Sequence, residues 1–355
     1  MSELIGRHDN RATIRWKLLT GASALALASY LSATAPARAA DGERPLVWFE
    51  ADGQFSLLSA DREAFLPPFI VNSQFDDAAK IARKKPPSEW DEGGKISFQP
   101  ADSDWLLSVG IRYGKSHRQE ASNPYTKQAG GYWSKYYTGV QNSKGSTSEK
   151  HLIVDFQAGK DVGLGRIGSQ GTSVVSAGVR FAQFDSRSNL TLRSITAAVP
   201  SSYYIFHGAF DAKRDFRGIG PSLSWDASAN LTGNDSDGSI TFDWGVNAAL
   251  LFGRQRVKAH HQRTSEYQSQ TAKYYPSLRT TVYHTSASPV RSKRVTVPNL
   301  GGYAALSLRY TNAKISFGYR ADAFFGAIDG GIDAVKKEQR GFYGPFASVS
   351  IGVGN

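Results

Sequence analysis

The chain has no cysteine, so disulfide staples, thiolate nucleophiles and thiolate metal ligands are excluded. Its 355 residues must hold together in an oxidising compartment without covalent cross-links. Methionine is almost missing as well, the one example being Met1. Nowhere after residue 40 does an apolar run approach the ~18 consecutive residues that a membrane-spanning helix needs. Helical membrane proteins are therefore excluded. A membrane barrel is not, because half of each barrel strand is polar.

A period of two is what the sequence does contain. From Ser239 to Gly253, Ile240, Phe242, Trp244, Val246, Ala248, Leu250 and Phe252 fall on one face of an extended chain. Thr241, Asp243, Gly245, Asn247 and Gly253 fall on the other. An aromatic-rich apolar face opposite a carboxylate and an amide predicts a strand with lipid outside and a wet or salt-bridged lumen inside. The same alternation runs through 47–57, 95–99, 105–113, 152–158, 175–183, 216–231, 300–310, 315–325 and 342–353.

The connections alternate in length. Short turns are expected at 101–104, 160–171, 233–238 and 311–313, and longer polar connections at 59–94, 119–150, 187–214, 254–294 and 328–340. The pattern predicts an all-β fold: a closed antiparallel transmembrane β-barrel of about 10 strands (8–12), with long outward loops and short periplasmic turns. A secreted β-sandwich would bury its aromatic face in a second sheet, and very long polar loops beside minimal turns argue against it.

Residues 1–39 resemble a cleaved export signal, leaving 40–355 as the barrel domain. Arg7, Arg11, Arg15 and Lys17 precede an apolar run from Leu18 to Leu31, and Ala37-Arg38-Ala39 supplies small residues for cleavage. The formal net charge is +11; five basic and two acidic residues lie within 1–39, so +8 remains.

Three blocks resemble the Legionella-type major outer-membrane protein family of pore-forming barrels. They are Asp104-Trp105 leading to Gly110-Ile111-Arg112-Tyr113, then Phe216-Arg217-Gly218-Ile219-Gly220-Pro221, then Ala248-Ala249-Leu250-Leu251-Phe252-Gly253. The resemblance spans roughly residues 45–355. It implies an outer-membrane location, a porin-like role and a part in surface adhesion. It carries over no catalytic residue.

Several motifs reduce to turns. Gly163-Leu164-Gly165-Arg166-Ile167-Gly168 spells a dinucleotide fingerprint but leads into a strand, whereas that fingerprint works by opening a helix. Asn234-Asp235-Ser236-Asp237-Gly238 begins like a calcium loop but has no acid at the twelfth position. His260-His261 and His284-Thr285-Ser286 invite a search for a lipid hydrolase, yet no acidic partner is evident. No catalytic residue, cofactor or metal is expected.

Two charged sets remain. Glu50, Asp52, Asp155, Asp226, Asp243 and Asp322 with Arg112, Arg180, Arg309 and Arg320 alternate inward, either bridging a narrow lumen or lining a thin aqueous path. The 254–294 connection holds Arg254, Arg256, Lys258, Arg263, Lys273, Arg279, Arg291, Lys293 and Arg294 against the single acid Glu266. The function expected is a porin-like barrel whose basic loop favours anionic solutes or surface polyanions. The alternative is a closed-lumen structural or adhesion barrel whose aromatic and basic loops bind glycans or lipopolysaccharide. The expected partners are outer-membrane lipid, lipopolysaccharide and the barrel assembly machinery, with an anionic solute or surface glycan; nucleic acid is not expected.

Overall fold

The computed structural model describes residues 47–59, 88–100, 103–116, 119–128, 138–163, 172–199, 202–234, 238–270, 278–331 and 335–354. The expected export signal at 1–39 and most of the expected 59–94 connection lie outside them. Twelve strands carry all the regular structure there: β1 (Val47–Ser59), β2 (Glu89–Phe98), β3 (Trp105–Ser116), β4 (Gln119–Gln128), β5 (Thr138–Asp161), β6 (Thr172–Val199), β7 (Ser202–Asn234), β8 (Gly238–Gln270), β9 (Leu278–Ala287), β10 (Val290–Tyr310), β11 (Ala313–Asp329) and β12 (Lys337–Val353).

All pairings are antiparallel. The path β1-β2-β3-β5-β6-β7-β8-β10-β11-β12 returns to β1 through Val47↔Val353 and its neighbours, which closes a ten-stranded barrel. β4 and β9 extend its upper rim, pairing with the parts of β5 and β8 that β3 and β10 do not reach. A closed ring leaves no unpaired edge, the condition lipid imposes on any spanning sheet. Each of the ten alternating sequence segments falls on one strand of this ring, 95–99 overrunning the end of β2 by one residue. Gly233 (φ 88°) and Gly238 (φ 102°) bracket the β7–β8 turn, taking backbone angles that L side chains rarely adopt.

Around the lower part of the ring, apolar side chains point to lipid and polar ones to the lumen. On β8, Ile240, Val246, Leu250 and Phe252 are exposed on the outer face, while Thr241 and Asp243 are buried inside. Above Phe252 the polarity reverses without a break in the alternation. Arg254, Arg256 and Lys258 now face out, and Val257 and Ala259 are buried inside. β7 does the same: Ile219 and Leu223 face lipid below, whereas above them Phe210 and Phe216 are buried inside and Lys213 and Arg217 face out.

The loops expected at 119–150, 187–214 and 254–294 are thus largely strand. β7 and β8 run for 33 residues each, against the ~9–11 that cross a bilayer, so the barrel wall continues far above the lipid. The reason is solvation. Once the outer wall meets water its outward positions turn polar, the greasy residues that remain turn inward, and the segment reads as polar to any search for lipid-facing residues. The 328–340 connection likewise shrinks to 330–336 between β11 and β12. β2 begins at Glu89, six positions before the expected 95–99 strand.

At the changeover the lumen is filled by one apolar cluster. Leu58, Ile153, Ala182, Phe184, Phe216, Ala249, Leu251, Val297, Phe324, Ala327, Ile328 and Phe342 come from eight of the ten ring strands. Phe184 is central: it stacks on Phe216 (centroids 5.8 Å) and Phe342 (5.7 Å) and meets Phe324 edge-on at 4.7 Å.

Candidate functional sites in the lumen and on the outer wall

Beneath the aromatic layer lies a charged chamber of about 140 Å³. Glu50, Asp52, Arg112, Asp155, Arg180, Asp226, Arg320 and Asp322 line it, joined by Lys95 and Tyr303, which sequence reasoning did not single out. Arg112 on β3 reaches across to Asp322 on β11 at 2.6 Å. Arg320 pairs with Asp52 at 2.6 Å. Arg180 pairs with Asp155 at 2.7 Å and also donates to Asn247 on β8 (2.7 Å) and to Asn299 on β10. The Tyr303 hydroxyl donates to Asp226 at 3.0 Å. These bonds tie opposite walls together. A volume of this size holds a few waters at ~30 Å³ each rather than a wide channel.

The other two inward charges lie apart. Asp243 pairs with Lys314 at 3.0 Å and accepts from Ser307 at 2.6 Å. Arg309 follows the inward alternation of β10 but does not line the chamber.

Above the aromatic layer, clear of the lipid-facing band, sits a second polar layer. Arg340 is fully buried between Glu149 (3.3 Å) and Glu338 (2.9 Å). Burial pushes the Glu149 carboxyl above its ordinary range despite the adjacent Arg340. Burial also works to lower Arg340, but Glu149 and Glu338 outweigh it and raise the guanidinium. Arg214 donates to Ser188 (3.0 Å) and to the Gly330 carbonyl (3.3 Å), and burial pulls it down to about 10. Arg291 pairs with Asp329 at 3.1 Å, and Asp329 accepts from the backbone N–H groups of Gly331 and Lys336. These bonds draw the described ends of the β11–β12 connection against the lumen wall.

Beside the aromatic layer, Glu89 and Asp91 on β2 meet His151 on β5. His151 Nδ1 lies 3.0 Å from Glu89 Oε1, and Nε2 lies 3.7 Å from Asp91 Oδ2. The His151 ring packs 4.0 Å from Phe342. All three residues are buried. Sequence reasoning missed this group because Glu89 and Asp91 lay within an expected loop. The Glu-x-Asp spacing, which places both on one face of a strand, was the available signal.

The basic segment is a wall, not a loop. Arg254, Arg256, Lys258 and Arg294 project outward just above the lipid band, and Arg254 registers with Arg294 on β10 and Arg217 on β7. Three arginines therefore stand abreast on adjacent strands. Arg217 belongs to this row although charge counting over 254–294 omits it; reading the parity of β7 upward from Ile219 finds it. Arg263 is exposed higher on β8. Arg291 turns inward to Asp329, and Lys293 shares its parity on β10. Lys273 and the side chain of Arg279 lie outside the described residues. His260 Nδ1 lies 2.8 Å from Ser288 Oγ, and His284 pairs with Thr264 at 3.1 Å, both on exposed positions.

Closed ring, lipid-facing apolar band and charged interior together define an outer-membrane β-barrel. No protein-family model and no curated protein matches the sequence. Among solved structures, the outer-membrane protease OmpT from Escherichia coli is similar over 87% of this chain and 94% of its own, at 9% identity and a TM-score of 0.34. The translocator domain of the autotransporter NalP from Neisseria meningitidis is similar over 96% and 98%, at 9% identity and a TM-score of 0.24.

Proposed function

We propose that the protein is a closed-lumen structural barrel of the outer membrane whose basic outer wall grips surface polyanions, lipopolysaccharide phosphates foremost. The Arg217–Arg254–Arg294 row carries the reading. Guanidinium groups side by side bind phosphate bidentately, and the row stands one alternation above Ile219 and Phe252, at the height of an anionic headgroup layer. No catalysis is part of this reading.

The porin-like alternative draws on the charged chamber. Against it stand the cross-lumen bonds of Arg112 and Arg180 and the aromatic layer above them. A solute would have to displace both to pass.

Two measurements test the proposal. The refolded protein in a planar bilayer should pass no discrete, salt-dependent current; steps in the wild type would favour the porin-like reading. Replacing Arg217, Arg254 and Arg294 together by Gln should weaken lipopolysaccharide binding at least tenfold while leaving heat-modifiable gel migration intact. Unchanged binding would sink the polyanion role.

A further inference from the structure

We infer that Glu89, Asp91 and His151 form a buried site for one divalent first-row transition-metal ion, zinc being the best chemical match. Each residue offers a ligand atom, and the three atoms lie within 4.8 Å of one another. A single ion can take only one of the two His151 ring nitrogens. Nδ1 lies 3.0 Å from Glu89 Oε1, inside the roughly 3–3.6 Å that metal bonds of about 2.0–2.2 Å place between neighbouring ligands, and the set as a whole, within 4.8 Å, would contract to close around the ion. One imidazole with two carboxylates suits zinc, manganese or iron(II) better than calcium or magnesium, which prefer oxygen alone.

Two further observations point to an occupant. Glu89 Oε2 and Asp91 Oδ1 are buried without a hydrogen-bond partner among the described residues, and Glu89 Oε1 has only the His151 ring beside it, at 3.0 Å. Glu89 is only 1% exposed. Two carboxylates set so close at that depth are costly with only one imidazole and one hydroxyl to offset them, and a dication would neutralise the pair.

The second observation is a cradle. β3 runs between β2 and β5, and its residue in register with both Asp91 and His151 is Gly114. A Cβ there would collide with Asp91 Oδ1 and the His151 ring. The missing side chain lets ligands from strands two apart meet over the intervening backbone. Ser56 on β1 donates to Asp91, orienting its carboxylate as the partners of metal-ligating groups commonly do.

An ion held here would link β2 to β5 and would bind the folded barrel only, so its affinity adds to stability. Because the site is closed, the untagged protein should be refolded from urea into detergent with zinc present, desalted, and assayed by elemental analysis. One zinc per chain is expected in the wild type, and at least a tenfold loss in His151→Ala, Glu89→Gln and Gly114→Ala. Heat-modifiable migration identifies which variants have folded. Should none fold, cobalt-loaded wild type supplies the reading: visible d–d bands that zinc abolishes support the site. Folded wild type holding no stoichiometric metal, or a folded His151→Ala that keeps it, overturns the proposal.

Discussion

The lower and upper storeys of this barrel are built from the same strands with opposite polarity. Along β8, Val246 faces out and Asp243 faces in below the changeover; Arg256 faces out and Val257 faces in above it. Along β8 the secondary structure, register and period do not change between them. The solvent does. A β-ladder specifies only which residues share a face, and the surrounding medium then decides which face must be greasy.

The largest effect should come from removing what fills each interior. Phe184→Ala empties the centre of the upper core and should cost about 3–5 kcal/mol in urea-dependent unfolding followed by tryptophan fluorescence. Its counterpart below is Arg180→Ala, which leaves Asp155 without its 2.7 Å partner and should cost about 3–5 kcal/mol. Adding Asp155→Asn should return much of the second loss and none of the first. If the carboxylate change also rescued the aromatic variant, the two storeys would not be separate in chemistry.

A middle effect separates the outer walls. Val246→Arg puts a cation against lipid and should destabilise by about 2–4 kcal/mol in vesicles. Arg256→Val, on the same face higher up, should stay within about 0.5 kcal/mol in the same assay. Equal penalties would place the upper wall inside the bilayer too, contrary to the comparison.

The lower storey was legible because its lipid face is dense in aromatics: Phe242 and Trp244 on β8, Trp105 and Tyr113 on β3. The upper storey was not. Its inward positions include small residues such as Ala182, Gly208, Ala212 and Ala259, so polar outward residues dominate the local composition and imitate loop. The excess of positive charge in 254–294 was visible, but its sorting was not. That Arg254 stands beside Arg217 while Arg291 turns in to Asp329 follows from register, which no single segment encodes. For the same reason the meeting of Asp91 with His151 across Gly114 could not be anticipated.

The seam between β1 and β12 bears on how such a molecule comes into being. Glu50 and Ser350, 300 positions apart, bond across it, and Val47 aligns with Val353. Until the last strand is delivered, the first offers a bare, adhesive margin to any other chain nearby. Assembly is therefore slow to commit and dangerous to interrupt, and a half-made ring is the form in which this protein is most exposed to aggregation.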